Sequence, residues 1–289
     1  LMKVLVLGAG GVGESICALF KRRKNTNEWL EKVILADYDY EKAAEAVKKL
    51  DDTEMFVAEQ VDALNKDEVI ALARKYDVGF MVHCLVTEGF TEVIMDACLE
   101  CECHFVDMAL SETVRDSEDP TKIIQELGHR EFLKSNDFEE RGLYALVACG
   151  VEPGMIDYFA RYAENNLFDE IDGLYVRDGS NLTHPSSELV FGFSVGTTLM
   201  ECLYGPHLYS EEKGIYSDEP LTHTEDFWLP GGIGMTRMSA VEHSEPLNMS
   251  RHIKGIKEAD FKIGYGKEFE DAMKYLKQLG LLSDTEVEL

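Results

Sequence analysis

Residues 2–13, Met-Lys-Val-Leu-Val-Leu-Gly-Ala-Gly-Gly-Val-Gly, are the stretch of sequence that decides the fold. Residues 4–7 are all apolar, which predicts a short buried strand. Gly8, Gly10 and Gly13 follow at the spacing G-x-G-x-x-G, which is typical of a turn that receives the pyrophosphate of a dinucleotide. The first glycine permits the tight turn, the second lets the phosphates approach the backbone, and the third lets a helix pack close to the strand.

The residues after the glycines complete a nucleotide-binding unit. Residues 14–23 predict a helix whose N-terminus faces the phosphates, and residues 32–36 predict a second buried strand. Asp37 ends that strand, where an acid hydrogen-bonds the adenosine ribose. Its charge repels a 2′-phosphate, and the neighbouring Tyr38 supplies no cation to receive one. We therefore expect NAD as the cofactor in preference to NADP.

Loops beyond the carboxyl ends of the predicted strands supply the rest of the cofactor site, because ligands of doubly wound sheets bind there. Asp62 follows the third predicted strand, where we expect it to hydrogen-bond the adenine. Cys84 and Leu85 follow the fourth, where we expect them to line the ribose and the nicotinamide. The predicted cofactor residues are Gly8, Gly10, Gly11, Val12, Gly13, Asp37, Tyr38, Asp62, Cys84 and Leu85.

Alternating strand and helix patterns fill residues 1–152 and predict an α/β fold with a Rossmann-type, doubly wound parallel sheet. After the second strand, the predicted strands are 54–58, 78–83, 104–107 and 144–149, and the predicted helices are 66–75, 90–101 and 121–141. Residues 153–266 combine short apolar runs with glycine and proline, which predicts a second, α+β domain that binds substrate and a second copy of the chain. Residues 267–289 predict a C-terminal helix.

The composition limits the partners that we expect. The chain has 289 residues and a formal net charge of -27. Such acidity repels nucleic acid and anionic membrane surfaces, and no stretch approaches the ~20 apolar residues of a membrane span. We therefore expect a cytoplasmic homodimer that binds a small, amino-acid-like substrate and neither nucleic acid nor membrane.

The seven cysteines are an odd number, which predicts reduced thiols and no disulfide framework. Cys98, Cys101, Cys103 and His104 have ligand-like spacing. They fall, however, where a predicted helix ends and a strand begins, and no second cysteine pair lies at zinc spacing. We therefore predict no metal site.

Five segments resemble the saccharopine dehydrogenase-like family of reductases: the glycine turn and residues 97–107, 148–157, 192–198 and 229–234. The resemblance implies a nicotinamide-dependent enzyme that oxidises or reduces a carbon–nitrogen bond, as saccharopine reductases, lysine 6-dehydrogenases and carboxynorspermidine dehydrogenases do. Phe193 stands where family members usually carry tryptophan. Two other functions stay open, namely a non-catalytic nucleotide sensor and a carbonyl reductase on the same fold.

Chemistry at a carbon–nitrogen bond requires a proton donor near the nitrogen and charged groups for the substrate ends. His83 ends the fourth predicted strand and is the best-placed imidazole, with a purely structural role as the alternative. Glu152 and Asp157 flank the start of a helix predicted at 154–166. Either suits a substrate ammonium, or simply the dipole of that helix. These three residues are the predicted catalytic set.

The predicted substrate site also includes two arginines and two residues of the strand-end loops. Arg177 and Arg237 suit bidentate binding of a carboxylate, with an ordinary surface role as the alternative. Asp107 ends the fifth predicted strand, and Gly154 lies in the Pro-Gly turn that precedes the predicted helix.

Overall fold

The structure, a computed structural model, describes residues 1–26, 28–85, 89–108, 110–119, 121–183, 185 and 190–281. The chain forms two compact units. The first unit contains residues 1–113 and 126–154, and the second contains residues 114–125 and 155–289. Residues 114–125 therefore belong to the second unit, whereas the sequence placed them in the first domain. Within the described ranges no helix is both long and apolar enough to cross a membrane.

Strands and helices alternate through the first unit and are mixed in the second. The strands are β1 (Met2–Leu7), β2 (Leu30–Asp37), β3 (Phe56–Gln60), β4 (Phe80–His83), β5 (His104–Asp107), β6 (Val114–Arg115), β7 (Ile123–Gln125), β8 (Ala145–Leu146), β9 (Gly173–Gly179), β10 (His207–Ser210), β11 (Gly214–Ser217), β12 (Glu225–Leu229), β13 (Gly234–Ala240) and β14 (Glu258–Gly264). The α-helices are α1 (Gly11–Arg22), α2 (Tyr40–Leu50), α3 (Lys66–Tyr76), α4 (Thr91–Cys101), α5 (His129–Leu133), α6 (Ser135–Glu140), α7 (Met155–Asn166), α8 (Val195–Leu203), α9 (Glu245–His252) and α10 (Lys267–Gln278).

The first unit contains a six-stranded parallel sheet in the order β3-β2-β1-β4-β5-β8, which confirms the predicted doubly wound fold. Both faces of β1 are buried. Leu5 and Leu7 join the core cluster that contains residues of α3 and α4, while Val4 and Val6 join the cluster that contains residues of α1 and α2. A strand buried on both faces needs apolar residues at consecutive positions, which explains why β1 carries no alternation of polar and apolar residues.

The predicted helix at 121–141 is wrong. The structure has β7, which pairs with β6 as an antiparallel hairpin, and then the short helices α5 and α6. Gly128, which precedes α5, has a φ of 77° and interrupts any helix through this region. The predicted strand at 144–149 shortens to the two residues of β8, because Ala148 has a positive φ of 57° and leaves the strand geometry.

The second unit contains a mostly antiparallel sheet in the order β11-β10-β14-β13-β12, with β9 added parallel to β14. Its core joins apolar residues of the sheet, such as Phe261 and Ile263, to Met249 of α9 and to Phe269 and Met273 of α10. The α+β architecture expected for this region is confirmed. Helix α10 packs into this core and is thus part of the unit, whereas the sequence set it apart as a C-terminal element.

A buried carboxylate fastens the loop after β5. Glu131 of α5, 3% exposed, accepts hydrogen bonds from the backbone N–H of Ser111 at 2.6 Å and from its Oγ at 2.5 Å. The backbone N–H of Gly128 also donates to the carbonyl oxygen of Ser111 at 2.8 Å. The two short helices that replaced the predicted long one therefore fix a loop at the carboxyl end of the sheet.

We predict that Glu131→Ala lowers the free energy of unfolding by about 3 kcal/mol, because two buried donors of Ser111 lose a charged acceptor. Equilibrium urea unfolding measures the change. Glu139→Ala, at an exposed position of α6, is the matched control and should stay within about 0.5 kcal/mol of the wild type. Equal stabilities of the two variants would show that Glu131 does not hold the loop.

Candidate dinucleotide-binding site

The glycine turn brings α1 so close to β1 that no side chain fits at Gly8 or Gly13. A Cβ on Gly13 would lie 2.0 Å from the carbonyl oxygen of Gly8. Gly8 has a φ of 105°, and a Cβ there would lie 2.9 Å from the carbonyl oxygen of Cys84. These two glycines are therefore required by the folded chain itself, with or without a ligand.

Gly10 and Gly11 have a different environment. A Cβ on either would meet no protein atom within 4 Å, so the chain does not need a glycine at these positions for its own packing. Gly10 is the N-cap of α1 and gives it no side-chain hydrogen bond. The first turn of a helix carries backbone N–H groups without intrahelical partners, and these groups attract anions. Open space above these donors fits a pyrophosphate, which Gly10, Gly11, Val12 and Gly13 would hold.

Asp37 lies at the end of β2 and connects the turn to the second strand. Its Oδ2 accepts from the backbone N–H of Ala9 at 2.7 Å, and its Oδ1 accepts from that of Asp39 at 3.0 Å. The carboxylate thus orders the glycine turn in addition to the ribose contact that we predicted for it. Tyr38 is 73% exposed beside it. The side chain of Asp39 caps α2 by accepting from the backbone N–H groups of Glu41 and Lys42.

One cation near Asp37 was missed by the sequence analysis. The Nζ of Lys42, in the first turn of α2, lies 3.8 Å from Oδ2 of Asp37. A lysine at this place offsets part of the repulsion that the aspartate exerts on a 2′-phosphate. Its position three residues after Asp39, the N-cap of the following helix, was the signal that could have found it.

The loop residues predicted for the cofactor lie at the carboxyl ends of their strands. Oδ1 of Asp62 accepts from the backbone N–H of Leu64 at 3.0 Å, so the aspartate shapes the turn that follows β3. The backbone N–H of Cys84 donates to the carbonyl oxygen of Leu7 at 2.8 Å, which brings the chain after β4 beside the glycine turn. Burial raises the pKa of the Cys84 thiol to about 12. Leu85 is half-buried, and Val86 lies outside the described residues.

His83 and Asp107 are neighbours on adjacent strands and are each 1% exposed. Nδ1 of His83 lies 3.9 Å from Oδ2 of Asp107, and both ring nitrogens of His83 lack a hydrogen-bond partner among the described residues. Oδ1 of Asp107 accepts from the backbone N–H of Ala148 at 3.0 Å. Asp107 therefore holds the loop after β8, and the pair lies beneath the surface at the carboxyl end of the sheet.

The loop after β8 contains the Pro-Gly turn. The backbone N–H of Gly150 donates to the carbonyl oxygen of Pro153 at 2.8 Å. Gly154 has a φ of 124°, and a Cβ there would lie 2.6 Å from the carbonyl oxygen of Gly150. Gly154 is thus a requirement of the turn. Helix α7 begins after it at Met155, so the predicted helix is confirmed, although Pro153 precedes its first turn.

Two acidic residues flank this turn as the sequence predicted. Glu152 is half-buried in the loop of the first unit, and Asp157 lies in the first turn of α7 in the second unit. Cys149 is a further polar residue of this loop, which the sequence analysis passed over. Its backbone N–H donates to the carbonyl oxygen of Asp107 at 2.9 Å, and burial together with the Asp107 charge raises the pKa of its thiol. Its place at the end of a predicted strand was the available signal.

The two arginines that we predicted to bind substrate have different partners in the structure. Arg177 lies within the sheet of the second unit, where Nη2 is 3.2 Å from Oδ2 of Asp260 and where Glu225 pairs with its Nε. Two carboxylates therefore already occupy the guanidinium that we expected to bind substrate. Arg237 is more open, since its Nη2 donates to Oγ1 of Thr224 at 2.8 Å and its Nη1 lies 3.7 Å from Asp226.

The cysteines of the ligand-like cluster are core residues. Cys98 and Cys103 are fully buried in the cluster that joins β5 to α3 and α4. Burial raises the pKa of the Cys103 thiol to about 12, and its Sγ lies 3.0 Å from the carbonyl oxygen of Val78. Over the part of the chain that the structure describes, no group of three or more His, Cys, Asp or Glu residues is arranged to hold a metal ion.

The geometry of the first unit agrees with a comparison of the sequence with protein families. Residues 4–146 match the family model of the saccharopine dehydrogenase NADP binding domain. These residues therefore belong to that family, and the resemblance predicted from the sequence is confirmed. The domain is an NAD(P)-binding domain, and the match does not choose between the two dinucleotides.

Relatives cover nearly the whole chain. Carboxynorspermidine synthase of Vibrio alginolyticus is 26% identical over 98% of this chain and 67% of its own length. Carboxyaminopropylagmatine dehydrogenase of Synechocystis is 24% identical over 99% of this chain and 68% of its own. Apo saccharopine dehydrogenase (L-Glu forming) of Saccharomyces cerevisiae shares the fold, with a TM-score of 0.72 at 15% identity. The match includes all of this chain and 60% of the yeast protein.

We predict that two glycine substitutions separate ligand binding from folding. Gly10→Val adds a side chain in open space and should leave the free energy of unfolding within about 1 kcal/mol of the wild type. It should nevertheless abolish NAD(H) binding, since the side chain enters the pyrophosphate space. Gly13→Ala should cost about 1–3 kcal/mol, because its Cβ meets a backbone oxygen.

Calorimetric titration with NADH and urea unfolding of both variants test this prediction. An unchanged NADH affinity in Gly10→Val would show that the pyrophosphate does not lie on this turn.

Proposed function

We propose that this protein is an NAD-dependent oxidoreductase that acts on a carbon–nitrogen bond of an amino-acid conjugate, of the saccharopine, lysine or carboxylated polyamine type. The observation that carries the proposal is the similarity of 98–99% of the chain to enzymes named for carboxynorspermidine and carboxyaminopropylagmatine. Both names denote an amine that bears a carboxylate. The glycine turn with its open pyrophosphate space and the acid at the end of β2 support the cofactor part.

The bound nicotinamide supplies or accepts a hydride at the carbon of the carbon–nitrogen bond. The chain must provide a site for the dinucleotide, a group that moves a proton at the nitrogen, and charges that hold the substrate ends. The α1 N-terminus and Asp37 suit the first task. Glu152, half-buried in the loop after β8, suits the second or the binding of a substrate ammonium, and Asp157 suits the ammonium as well.

We assign the buried pair of His83 and Asp107 a positioning role. Asp107 holds the backbone of Ala148 and Cys149, which begin the loop that carries Glu152. Nδ1 of His83 lies 3.9 Å from Oδ2 of Asp107, so the imidazole packs beside the carboxylate that holds the loop. This interpretation keeps the predicted importance of His83, while its burial argues against direct contact with a substrate.

A spectrophotometric screen tests the proposed function. Lysine, saccharopine and ornithine are assayed with NAD⁺ and NADP⁺. Pairs of a diamine or agmatine with an aldehyde that bears a carboxylate are assayed with NADH and NADPH. Turnover of a carboxylated polyamine or another amino-acid conjugate would support the proposal. Turnover of simple carbonyls alone would favour a carbonyl reductase. NADH binding without turnover of any of these compounds would favour a nucleotide sensor.

We predict that Glu152→Gln and His83→Asn each lower turnover at least tenfold while NADH affinity is kept. Loss of a proton-transfer group such as Glu152 typically costs about 10²–10⁴-fold, and His83→Asn alters the buried pair that positions the loop carrying Glu152. The double variant Cys101→Ser, Cys103→Ser is the control and should keep turnover within a few-fold. Stopped-flow turnover and calorimetry measure the two quantities. An essential cysteine pair together with bound zinc in elemental analysis would contradict the assignment.

We predict that Asp37→Ala combined with Tyr38→Arg raises the ratio of NADP to NAD turnover at least tenfold. The double change removes the repulsion of a 2′-phosphate and adds a bidentate donor next to Lys42. Tyr38→Arg alone is the matched control and should shift the ratio less, because the aspartate remains. A ratio unchanged from the wild type would place the ribose-binding acid elsewhere.

A further inference from the structure

A polar groove of about 710 Å³ lies in the second unit, where β12 and β13 face the start of α10. Its charged lining residues are Asp226, Arg237, Lys267, Glu268, Glu270, Asp271 and Lys274. Lys267 and Asp271 pair with each other along α10, so they neutralise one another. Arg237 and Asp226 lie 3.7 Å apart, whereas Glu268, Glu270 and Lys274 have no ion-pair partner within 4 Å among the described residues.

Glu270 is the unusual member of the lining. Only 2% of the residue is exposed, and its Oε1 accepts from Oγ of Ser239 at 2.6 Å. Among the described residues no cation lies within 4 Å of its carboxylate. A single neutral hydroxyl replaces only part of the hydration that a carboxylate loses on burial. The N-terminal dipole of α10 adds a further, smaller stabilisation.

Glu242 and Glu245, the other buried carboxylates among the described residues of the second unit, each have a basic partner. Oε1 of Glu242 lies 2.8 Å from Nη2 of Arg115, and Glu245 pairs with Nδ1 of His243. The chain therefore supplies a cation, or a histidine able to become one, to these groups but not to Glu270. A buried acid without a cation, at the wall of a groove, is the arrangement expected where a ligand brings the missing positive charge.

Two cations in the same groove suit the opposite end of such a ligand. Lys274 lies one helical turn after Glu270, and among the described residues no carboxylate is within 4 Å of its Nζ. Nη1 of Arg237 lies 3.7 Å from Asp226, beyond hydrogen-bond distance, so the guanidinium keeps donors for a further acceptor.

We propose that this groove binds the amino-acid-like end of the substrate. Glu270 pairs with an ammonium of the ligand, and Arg237 and Lys274 hold its carboxylate. The choice of an amino-acid-like ligand rests on the proposed function, whereas the groove and its charges do not.

Calorimetry without cofactor tests the groove directly, with three five-carbon probes: 5-aminopentanoate, the diamine cadaverine and the diacid glutarate. We expect 5-aminopentanoate to bind most tightly. Glu270→Gln should weaken 5-aminopentanoate and cadaverine at least tenfold and leave glutarate unchanged. Arg237→Ala with Lys274→Ala should weaken 5-aminopentanoate and glutarate at least tenfold and leave cadaverine unchanged. The controls are Glu212→Gln and Lys277→Ala, which are exposed outside the groove and should change nothing.

The unfolding temperature of Glu270→Gln without ligand provides a second readout. A binding role predicts an equal or higher unfolding temperature, because the substitution removes a buried charge while an amide can still accept from Ser239. A lower temperature together with unchanged probe binding would overturn the proposal, as would absence of 5-aminopentanoate binding by the wild type. If the probes bind in the expected pattern but the protein shows no turnover, the proposed reaction is refuted and the proposed binding site in the groove is still supported.

Discussion

The close approach of α1 to β1 is the constraint on which the first unit depends. A Cβ on Gly13 would lie 2.0 Å from the carbonyl oxygen of Gly8, so any other residue there pushes the helix away from the sheet. The same approach directs the first turn of α1 toward the carboxyl edge. Asp37 then locks the turn from the second strand through the N–H of Ala9. One backbone contact thus fixes both the packing of the first layer and the direction of its anion-binding N–H groups.

Sequence patterns predicted the parallel sheet well because its central strands are buried on both faces. Asn65 caps the predicted helix α3 with its side chain, whereas α2, which Asp39 caps, was not predicted. The region from 114 to 141 failed for a physical reason. Its apolar residues contribute to a hairpin and to two short helices, and local spacing cannot reveal that residues 114–125 fold with the second unit, where Arg115 pairs with Glu242.

Among the predicted site residues, the glycines were easier to recognise from the sequence than the roles of the charged side chains. Backbone requirements, such as Gly8, Gly13 and Gly154, follow from local geometry and were recognisable in the sequence. Roles of charged side chains depend on partners that are distant along the chain, which a single sequence does not reveal. Arg177 was a reasonable carboxylate ligand until Asp260, 83 residues away, was found at its guanidinium. Lys42 beside Asp37 was overlooked although it lies only five positions further along the chain.

The partners of a buried carboxylate distinguish a structural role from a ligand-binding role more clearly than its position in the sequence does. Leaving a carboxylate buried without compensation costs several kcal/mol, whereas a hydrogen bond to a charged group returns about 1.5–3 kcal/mol. Two donors from Ser111 compensate the desolvation cost of Glu131 within the chain. Arg115 compensates that of Glu242. Glu270 has one neutral donor and no cation within 4 Å among the described residues, so a positive charge that a ligand brings into the groove would stabilise it.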